Sequence, residues 1–349
     1  MKKMGSLLIR ADANRRIGSG HAMRCSAVAA EAVRLGCGAV FAVSDEGSAA
    51  FAEGLGFPAR ILPGDARSLG REDAMRLAGL AEELEASCLL VDSYAATDAF
   101  FDGLGVARRQ GVTVACIDDL FTFEEGYRTA PLPRNVDAVV NYSFSASEAA
   151  YARAYDGSSA DLLIGPTYAP VRRQFRCGPR ACRPEVRRIL VTTGSTNQGG
   201  LLEGLVEACL NAAPEVHVAV VVGKMASYDG PAGGRVDVLR DVAGMAALME
   251  DADLALSAAG STLYELAAMG VPTVAVASTE NQSLNADGFE RLALGPVVLF
   301  EEGRFAGGDL GSIVSNLVED LSARAAMAER GSSVVDGRGA ERIVRTLGC

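Results

Sequence analysis

Short apolar, β-branched runs alternate with helix-like stretches along almost the whole chain, and no other feature constrains the fold as strongly. In the first half the helical stretches include "EDAMRLAGLAEELE" and "TDAFFDGLGVARRQG". The strand candidates there are "SLLIRAD", "AVFAVS", "ARILP", "CLLVDS", "TVACIDD", "AVVNYS" and "DLLIG". This alternation predicts an α/β fold with a parallel sheet covered by helices on both faces.

The alternation pauses once, at "PTYAPVRRQFRCGPRACRPEV", which contains four prolines and many arginines, and then restarts with "RRILVTTG". We therefore predict two doubly wound Rossmann-type domains, at 1–165 and 187–349, joined by a linker at 166–186. The last helix is expected to cross back to the first domain. Because ligands of such sheets bind at the carboxyl ends of the strands, we expect a cleft between the two domains.

Composition excludes several classes of function. The net charge of −11 disfavours nucleic acid as a partner, although backbone amides can still bind a phosphate group. No apolar run approaches the roughly 18 residues of a membrane span, and "MKKMGSLLIRADA" is interrupted by Arg10 and Asp12, which favours a first strand over a signal peptide. Eight cysteines without a C-x-x-C pair predict reduced thiols in a cytoplasmic enzyme.

The stretch "RRIGSGHAMRC" holds His21, one of only two histidines in the chain. A strand, a turn with Gly18 and Gly20, and a helix that runs to about Leu35 place His21 in the first helical turn. The helix dipole and Arg24 disfavour a charged imidazole there, so we expect a neutral histidine that can act as a general base. The alternative is a histidine that only caps or packs near the loop. His217, inside the strand pattern "EVHVAVVVG", is interpreted as structural.

A second constellation spans Leu254 to Gln282 and reads as strand, Gly-Ser-Thr turn, helix, strand and polar loop. The turn and the helix start offer N–H groups, and the turn adds two hydroxyl groups, so the segment suits an anion such as phosphate. The binding candidates are Gly260, Ser261, Thr262, Glu265, Asn281 and Gln282. Thr262 and Glu265 also match a capping box, which is the structural alternative for Glu265.

Further candidates follow other strands. Gly194 lies in "TTGSTNQGG", a possible second anion-binding loop that is equally well explained as a tight turn. Asp92, Asp118 and Asp119 end strands of the first domain, where acidic residues serve either function or turns. The sequence contains no G-x-x-x-x-G-K-[ST] loop and no cluster with metal-ligand spacing, so no metal and no cofactor are expected.

Motifs along nearly the whole chain resemble the UDP-2,4-diacetamido-2,4,6-trideoxy-β-L-altropyranose hydrolase family of pseudaminic acid biosynthesis. The resemblance rests on "IRADANRRIGSGHAMRC", "VDSYA", "IDD", "VNYS", "IGPTYAPVRRQF", "SAAGSTLYELAAMGVPTVAVASTENQ" and "DGRGAERIV". Spore-coat polysaccharide proteins carry the same signatures. The "GST…E…GxP…NQ" part is shared with GT-B glycosyltransferases, including the one that adds N-acetylglucosamine to the lipid-linked peptidoglycan precursor.

The resemblance implies a GT-B-like fold and hydrolysis of a UDP-sugar, with His21 as the catalytic base and Glu265 on the ribose of UDP. The candidates for substrate contacts in the first domain are Gly18, Gly20, Asp92, Tyr94, Asn141, Tyr168 and Arg172. Ser195 departs from the family, which often has a second glycine at that position. Attack by water on the anomeric carbon should expel UDP with inversion.

The expected partners are a UDP-sugar and water, with no nucleic acid, no membrane insertion and a monomeric protein. Two alternatives remain. One is a GT-B glycosyltransferase that uses a UDP-sugar donor, and the other is a non-catalytic protein that binds nucleotide sugars.

Overall fold

The computed structural model describes residues 5–14, 17–65, 67–119, 132–176, 181–242, 244–306 and 308–349. The chain divides into two compact units. Unit 1 comprises Met1–Arg173 together with Arg338–Cys349, and unit 2 comprises Gln174–Gly337. The division at Arg173 falls inside the segment 166–186 that the sequence marks as a linker.

Unit 1 is a seven-stranded parallel sheet in the order β3-β2-β1-β4-β5-β6-β7. Its strands are β1 Ser6–Arg10, β2 Gly38–Val43, β3 Ala59–Ile61, β4 Cys88–Val91, β5 Thr113–Ile117, β6 Ala138–Asn141 and β7 Asp161–Ile164. The helices of its first segment are α1 Gly20–Arg34, α2 Glu46–Gly54, α3 Arg71–Glu83, α4 Asp98–Arg109 and α5 Glu148–Ala154. A 3₁₀ turn, Pro166–Tyr168, follows β7.

Unit 2 repeats the arrangement in the order β10-β9-β8-β11-β12-β13-β14. Its strands are β8 Arg188–Thr192, β9 His217–Val222, β10 Val236–Arg240, β11 Leu254–Ala258, β12 Thr273–Ala277, β13 Val297–Glu301 and β14 Arg304–Ala306. Its helices are α6 Leu201–Ala212, α7 Met245–Asp251, α8 Thr262–Ala268, α9 Glu280–Arg291, α10 Leu310–Glu319 and α11 Leu321–Val334.

These sheets confirm the predicted class, two doubly wound parallel α/β domains. The central strands are buried on both faces, as expected where helices cover a parallel sheet; β4 and β11, for example, have no exposed or half-buried residue. Two details were not predicted. β14 pairs antiparallel with β13 at the sheet edge, and the polar stretch after β12 is the start of helix α9 rather than a loop.

The last helix, α12 Gly339–Leu347, belongs to unit 1. It lies against the 3₁₀ turn after β7, where Arg342 donates from Nη1 to the Thr167 carbonyl at 2.8 Å. A Cβ on Gly339 would lie 2.2 Å from the Ala169 carbonyl oxygen, so only glycine permits this approach. The contact joins two stretches that the sequence singles out, "DGRGAERIV" and "IGPTYAP".

In the described part of the chain, no helix has both the length and the apolar character needed to cross a bilayer. No disulfide joins any two of the described cysteines.

Candidate functional site

The carboxyl edge of the unit 1 sheet brings His21 and Asp92 together. β1 lies between β2 and β4, so the chain runs outward in one direction from β1 and in the other from β4. This reversal of strand order is where doubly wound sheets leave a crevice for ligands. His21 lies in the first turn of α1, which follows β1, and Asp92 is the first residue after β4.

His21 and Asp92 form a buried pair. The His21 Nδ1 atom is 2.6 Å from Asp92 Oδ1, and the side chains are 8% and 0% exposed. A carboxylate only accepts hydrogen bonds, so this distance requires a proton on Nδ1. When the ring is neutral, Nε2 then carries the free lone pair, and it makes no hydrogen bond with any described residue. The pair therefore has the arrangement of a histidine base oriented by a carboxylate.

Arg24, three residues after His21 on α1, holds the same carboxylate from the other side. Its Nε donates to Asp92 Oδ2 at 2.6 Å and its Nη2 donates to Asp92 Oδ1 at 2.5 Å. The Nη2 atom also lies 3.0 Å from His21 Nδ1. Since both of these nitrogen atoms carry hydrogen, that approach is a contact between two donors and not a hydrogen bond.

The charges of this cluster are fixed by their mutual contacts. Burial by itself raises the pKa of Asp92, but Arg24 and His21 outweigh burial and hold that pKa well below its usual range. Burial would lower the pKa of Arg24, but Asp119 and Asp92 raise it well above its ordinary value. Asp92 is therefore an anion and Arg24 a cation at any pH near neutrality.

Three further groups complete the cluster from neighbouring strands. Arg24 Nη1 donates to Asp119, which follows β5, and to the Tyr142 hydroxyl, which follows β6, the latter at 2.7 Å. The Tyr94 hydroxyl donates to Asp119 Oδ2 at 3.0 Å. The Tyr94 ring packs edge-on against His21 with centroids 4.4 Å apart, and 54% of its surface is exposed. Tyr94 thus forms an accessible wall beside the histidine.

The residues before His21 shape the turn that carries it. Asn14 accepts from the Ile17 amide at 3.0 Å and donates to Asp45 at 3.0 Å. Gly18 adopts φ 81°, which favours glycine, and its amide donates to the Asn14 carbonyl. A Cβ on Gly18 or on Gly20 would meet none of the described residues within 4 Å.

Not every predicted residue of unit 1 contacts the histidine cluster. Asn141 donates to the Tyr151 hydroxyl at 2.9 Å and accepts from the Ser143 amide at 2.9 Å. The Tyr151 hydroxyl in turn lies 2.9 Å from Asp118 Oδ2. Asp118 and Asn141 therefore belong to a buried network that orders the ends of β5 and β6. Asp118 and Asp119, adjacent in sequence, have different environments.

The last two candidates of unit 1, Tyr168 and Arg172, lie in the segment 166–186 that follows β7. Tyr168 is the last residue of the 3₁₀ turn, which contacts α12, and Arg172 lies four residues further on; both are half-buried. A role for either in substrate binding remains a prediction.

In unit 2, the loop after β8 lies at the corresponding carboxyl edge. Gly194 adopts φ 80°, and a Cβ there would meet no atom of the described residues within 4 Å. Ser195 accepts through its carbonyl from the Met225 amide at 3.1 Å. Gly223 must be glycine because a Cβ would lie 2.1 Å from the Gly194 carbonyl oxygen. The turn is therefore fixed by backbone contacts, and its Gly194 and Ser195 side is exposed.

The Gly-Ser-Thr turn follows β11, which is the sheet neighbour of β8, so both loops meet at the switch point of unit 2. A Cβ on Gly260 would meet nothing within 4 Å, and Ser261 is exposed. The capping-box interpretation of this turn is wrong. Ser261 is the N-cap, without a side-chain cap bond, and Thr262 is already the first helical residue, so Thr262 does not hold the cap position; Glu265 lies in the first turn of the helix.

The remaining candidates of unit 2, Asn281 and Gln282, follow strand β12. Gln282 accepts through Oε1 from the Ser278 amide at 3.0 Å and from the Ser278 hydroxyl at 3.1 Å. It therefore links the end of β12 to the first turn of α9. The side chain of Asn281 lies outside the described part of the structure.

Two features of the cluster were not predicted from the sequence. Arg24 was considered only for its charge on His21, and Tyr142 was not singled out, although it lies in the quoted "VNYS" motif. One signal was present, because residues three apart on a helix share a face and His21 and Arg24 have this spacing.

Comparison with known proteins agrees with this architecture. Residues 188–339 match the glycosyltransferase family 28 C-terminal domain. MurG of Acinetobacter baumannii is similar over 99% of both chains, with 16% identity and a TM-score of 0.66. UGT89C1 of Arabidopsis thaliana, solved in complex with UDP-L-rhamnose, is similar over 99% of this chain and 100% of that one, with 13% identity and a TM-score of 0.66. The chain therefore has the fold of GT-B glycosyltransferases, as the resemblance implies.

Among curated relatives, the spore coat polysaccharide biosynthesis protein SpsG of Bacillus subtilis is 24% identical over 228 residues, which are 60% of this chain and 64% of that protein. A second relative is matched over 33% of its length. The chain thus spans between a third and two thirds of the curated relatives that it matches. Fold and matched domain together show a GT-B-type architecture whose second half matches the glycosyltransferase family 28 C-terminal domain.

Proposed function

We propose that this protein hydrolyses a UDP-linked 2,4-diacetamido-2,4,6-trideoxy sugar of the altrose type to the free sugar and UDP, in the cytoplasm, as a step of pseudaminic acid biosynthesis. The observation that carries the proposal is the His21–Asp92 pair at the switch point of unit 1, with Nε2 making no hydrogen bond to the described residues. The motif resemblance supplies the sugar.

In this reaction a water molecule gives a proton to His21 Nε2 and attacks the anomeric carbon. The bond between that carbon and the β-phosphate oxygen breaks, and UDP leaves with the electron pair. A direct displacement inverts the anomeric centre. Unit 2 binds the nucleotide, and the exposed N–H and hydroxyl groups of its turns at Gly194 and Ser261 stabilise the charge that develops on the diphosphate.

The second candidate is a glycosyltransferase, which the family 28 domain match favours. The two functions differ in their need for an acceptor. A hydrolase releases UDP in buffer alone, whereas a transferase releases it at a comparable rate only when an acceptor is added.

The test is UDP release from the UDP-diacetamido-trideoxy-altrose compound without acceptor, with UDP-N-acetylglucosamine as the comparison substrate. In ¹⁸O-labelled water the label should enter the sugar and not UDP, and NMR of the early product should show inversion. His21→Asn should lower kcat by about 10²–10⁴. His217→Asn, which changes the only other histidine, an exposed residue of β9, is the matched control.

Three results would contradict the proposal. Label in UDP would mean attack at phosphorus. UDP release that depends on an acceptor would favour the transferase. A His21→Asn protein with the kcat of the wild type would leave His21 as a structural residue.

A further inference from the structure

Arg24 is saturated by protein groups. Its guanidinium has acceptors for every N–H: Asp92 for Nε, Asp119 and Tyr142 for Nη1, and Asp92 with a longer contact to Asp119 for Nη2. Its side chain is 11% exposed. An arginine in this state is not available to a substrate phosphate, although its position next to His21 would suggest a phosphate contact.

A buried carboxylate whose only partner is a histidine draws a proton onto the imidazole, because the ion pair then compensates the buried charge. An imidazolium cannot accept a proton from water. Arg24 supplies the compensating charge in place of His21. It also presents a cation 3.0 Å from His21 Nδ1, which disfavours a second positive charge there.

We propose that Arg24 is a positioning residue that allows Asp92 to orient His21 while the imidazole stays neutral and able to act as a base. This inference rests on the proposed function only where it assigns a catalytic use to the neutral imidazole. The proton state of His21 is a property of the unliganded protein.

Among the described residues, the groups that bear on this balance come from four elements. Arg24 carries the positive charge, and Asp92 and Asp119 carry negative charges, with Asp119 reached through Arg24. The other titratable neighbours are neutral: the hydroxyls of Tyr94 and Tyr142, and Cys25, whose thiol donates to Asp92 Oδ2 at 3.4 Å. Burial and the charge of Asp92 raise the pKa of the Cys25 thiol, so it does not compete as an anion.

The chain contains only two histidines, so the proton state of His21 can be tested directly. Protein labelled with ¹⁵N-histidine gives signals from His21 and His217 alone, and His217→Gln assigns them. In the wild type, His21 should show a protonated Nδ1 and an unprotonated Nε2 at neutral pH. In Arg24→Met the signals of His21 should move to the doubly protonated form. Their titration midpoint should rise by about one pH unit or more, the size expected when a close charge is removed.

Two further variants separate charge from geometry. Arg24→Lys keeps the charge but not the paired contacts with Asp92, so the midpoint should rise less than in Arg24→Met. The double variant Arg24→Met/Asp92→Asn removes both charges, which protects against a failure of the single variant to fold. Its His21 midpoint should lie below that of Arg24→Met.

Catalysis supplies an independent readout. If the hydrolase proposal holds, the acid limb of the kcat profile should move upward in Arg24→Met by the same interval as the NMR midpoint, and kcat should change more than KM. An unchanged His21 midpoint in Arg24→Met, or an Nε2-protonated ring in the wild type, would overturn the role of Arg24. The NMR result stands even if no UDP-sugar is hydrolysed, so the two proposals fail separately.

Discussion

Replacing Asp92 by asparagine tests the His21–Asp92 pair most sharply, because the side chain keeps its shape and only one oxygen becomes an NH₂ group. Both carboxylate oxygens accept from Arg24, Oδ1 from Nη2 at 2.5 Å and Oδ2 from Nε at 2.6 Å. Whichever way the new amide turns, its NH₂ group faces an Arg24 donor. The arrangement of the wild type therefore cannot be retained.

The two orientations have different consequences for His21. With NH₂ toward Nδ1, the ring must accept there and carry its hydrogen on Nε2, which removes the base. With NH₂ toward Arg24 Nε, the correct tautomer survives but the paired contact with Arg24 is lost. Loss of a general base costs about 10²–10⁴ in rate, and trapping the wrong tautomer in a serine protease costs about 10⁴. We expect kcat of Asp92→Asn to fall by about 10²–10⁴, with a smaller change in KM.

The assay is UDP release over pH 5 to 9 with the diacetamido-altrose substrate, and ¹⁵N-histidine NMR identifies the tautomer in the variant. Asp92→Asn with at least a tenth of the kcat of the wild type would refute the reasoning. Glu290→Gln, an exposed carboxylate on α9, is the matched control for a carboxylate-to-amide change.

The same variant gives a stability prediction with a defined sign. The pKa of Asp92 is lower in the folded protein than the unfolded value of about 3.9, so its carboxylate stabilises the fold above that value. This contribution is lost as pH falls toward the folded-state pKa. The difference in free energy of unfolding between the wild type and Asp92→Asn should shrink as pH falls below about 4, where the Asp92 carboxylate of the unfolded wild type becomes protonated. A difference that grows below about pH 4 would contradict the assignment.

Three further predictions concern Glu265, the need for a metal ion and the buried Arg324. Glu265→Ala should raise the Kd for UDP, measured by calorimetric titration, and Glu290→Ala is the control. An unchanged Kd would mean that Glu265 does not contact the nucleotide. Activity should survive EDTA, because Arg24 already pairs with the carboxylates of Asp92 and Asp119; loss of activity restored by magnesium would contradict this. Arg324 is fully buried and donates at 2.6–2.9 Å to four carbonyls, those of Leu317, Val318, Arg183 and Pro184. In chemical denaturation, Arg324→Met should lower the free energy of unfolding by at least about 3 kcal/mol. A loss below about 1 kcal/mol would contradict this structural role.

The sequence predicts the repeating elements well because buried parallel strands and their covering helices leave strong patterns. It fails where an element begins in polar residues. Helix α9 starts at Glu280, but its apolar positions begin later, and Phe289 is the buried anchor. The stretch 279–282 has the Thr-x-x-Gln spacing of a capping box, a signal for a helix start that the loop prediction overlooked.

The site was predictable in part for a different reason. The position of His21 follows from local signals, a strand, a glycine turn and a helix, and these are readable in sequence. The choice of Asp92 as its partner depends on β1 lying next to β4, which is a property of strand order. Before that order is known, Asp92, Asp118 and Asp119 are equivalent strand-end carboxylates, and only the topology gives them three different roles.

The electrostatics of unit 1 also bear on where the nucleotide binds. The described His21 cluster contains two carboxylates and one arginine whose N–H groups already donate to protein acceptors, so this arginine is not available to a diphosphate. In the turns of unit 2, Gly194 and Ser261 are exposed and uncharged instead. We therefore expect the Kd for UDP to change by less than about twofold in His21→Asn, which leaves the cluster's charges in place. For Asp92→Asn, which removes one negative charge, the Kd should stay equal or become slightly lower. Calorimetric titration of both variants checks this, and a tenfold loss of UDP affinity in either would place the diphosphate next to the histidine and overturn the division of roles between the units.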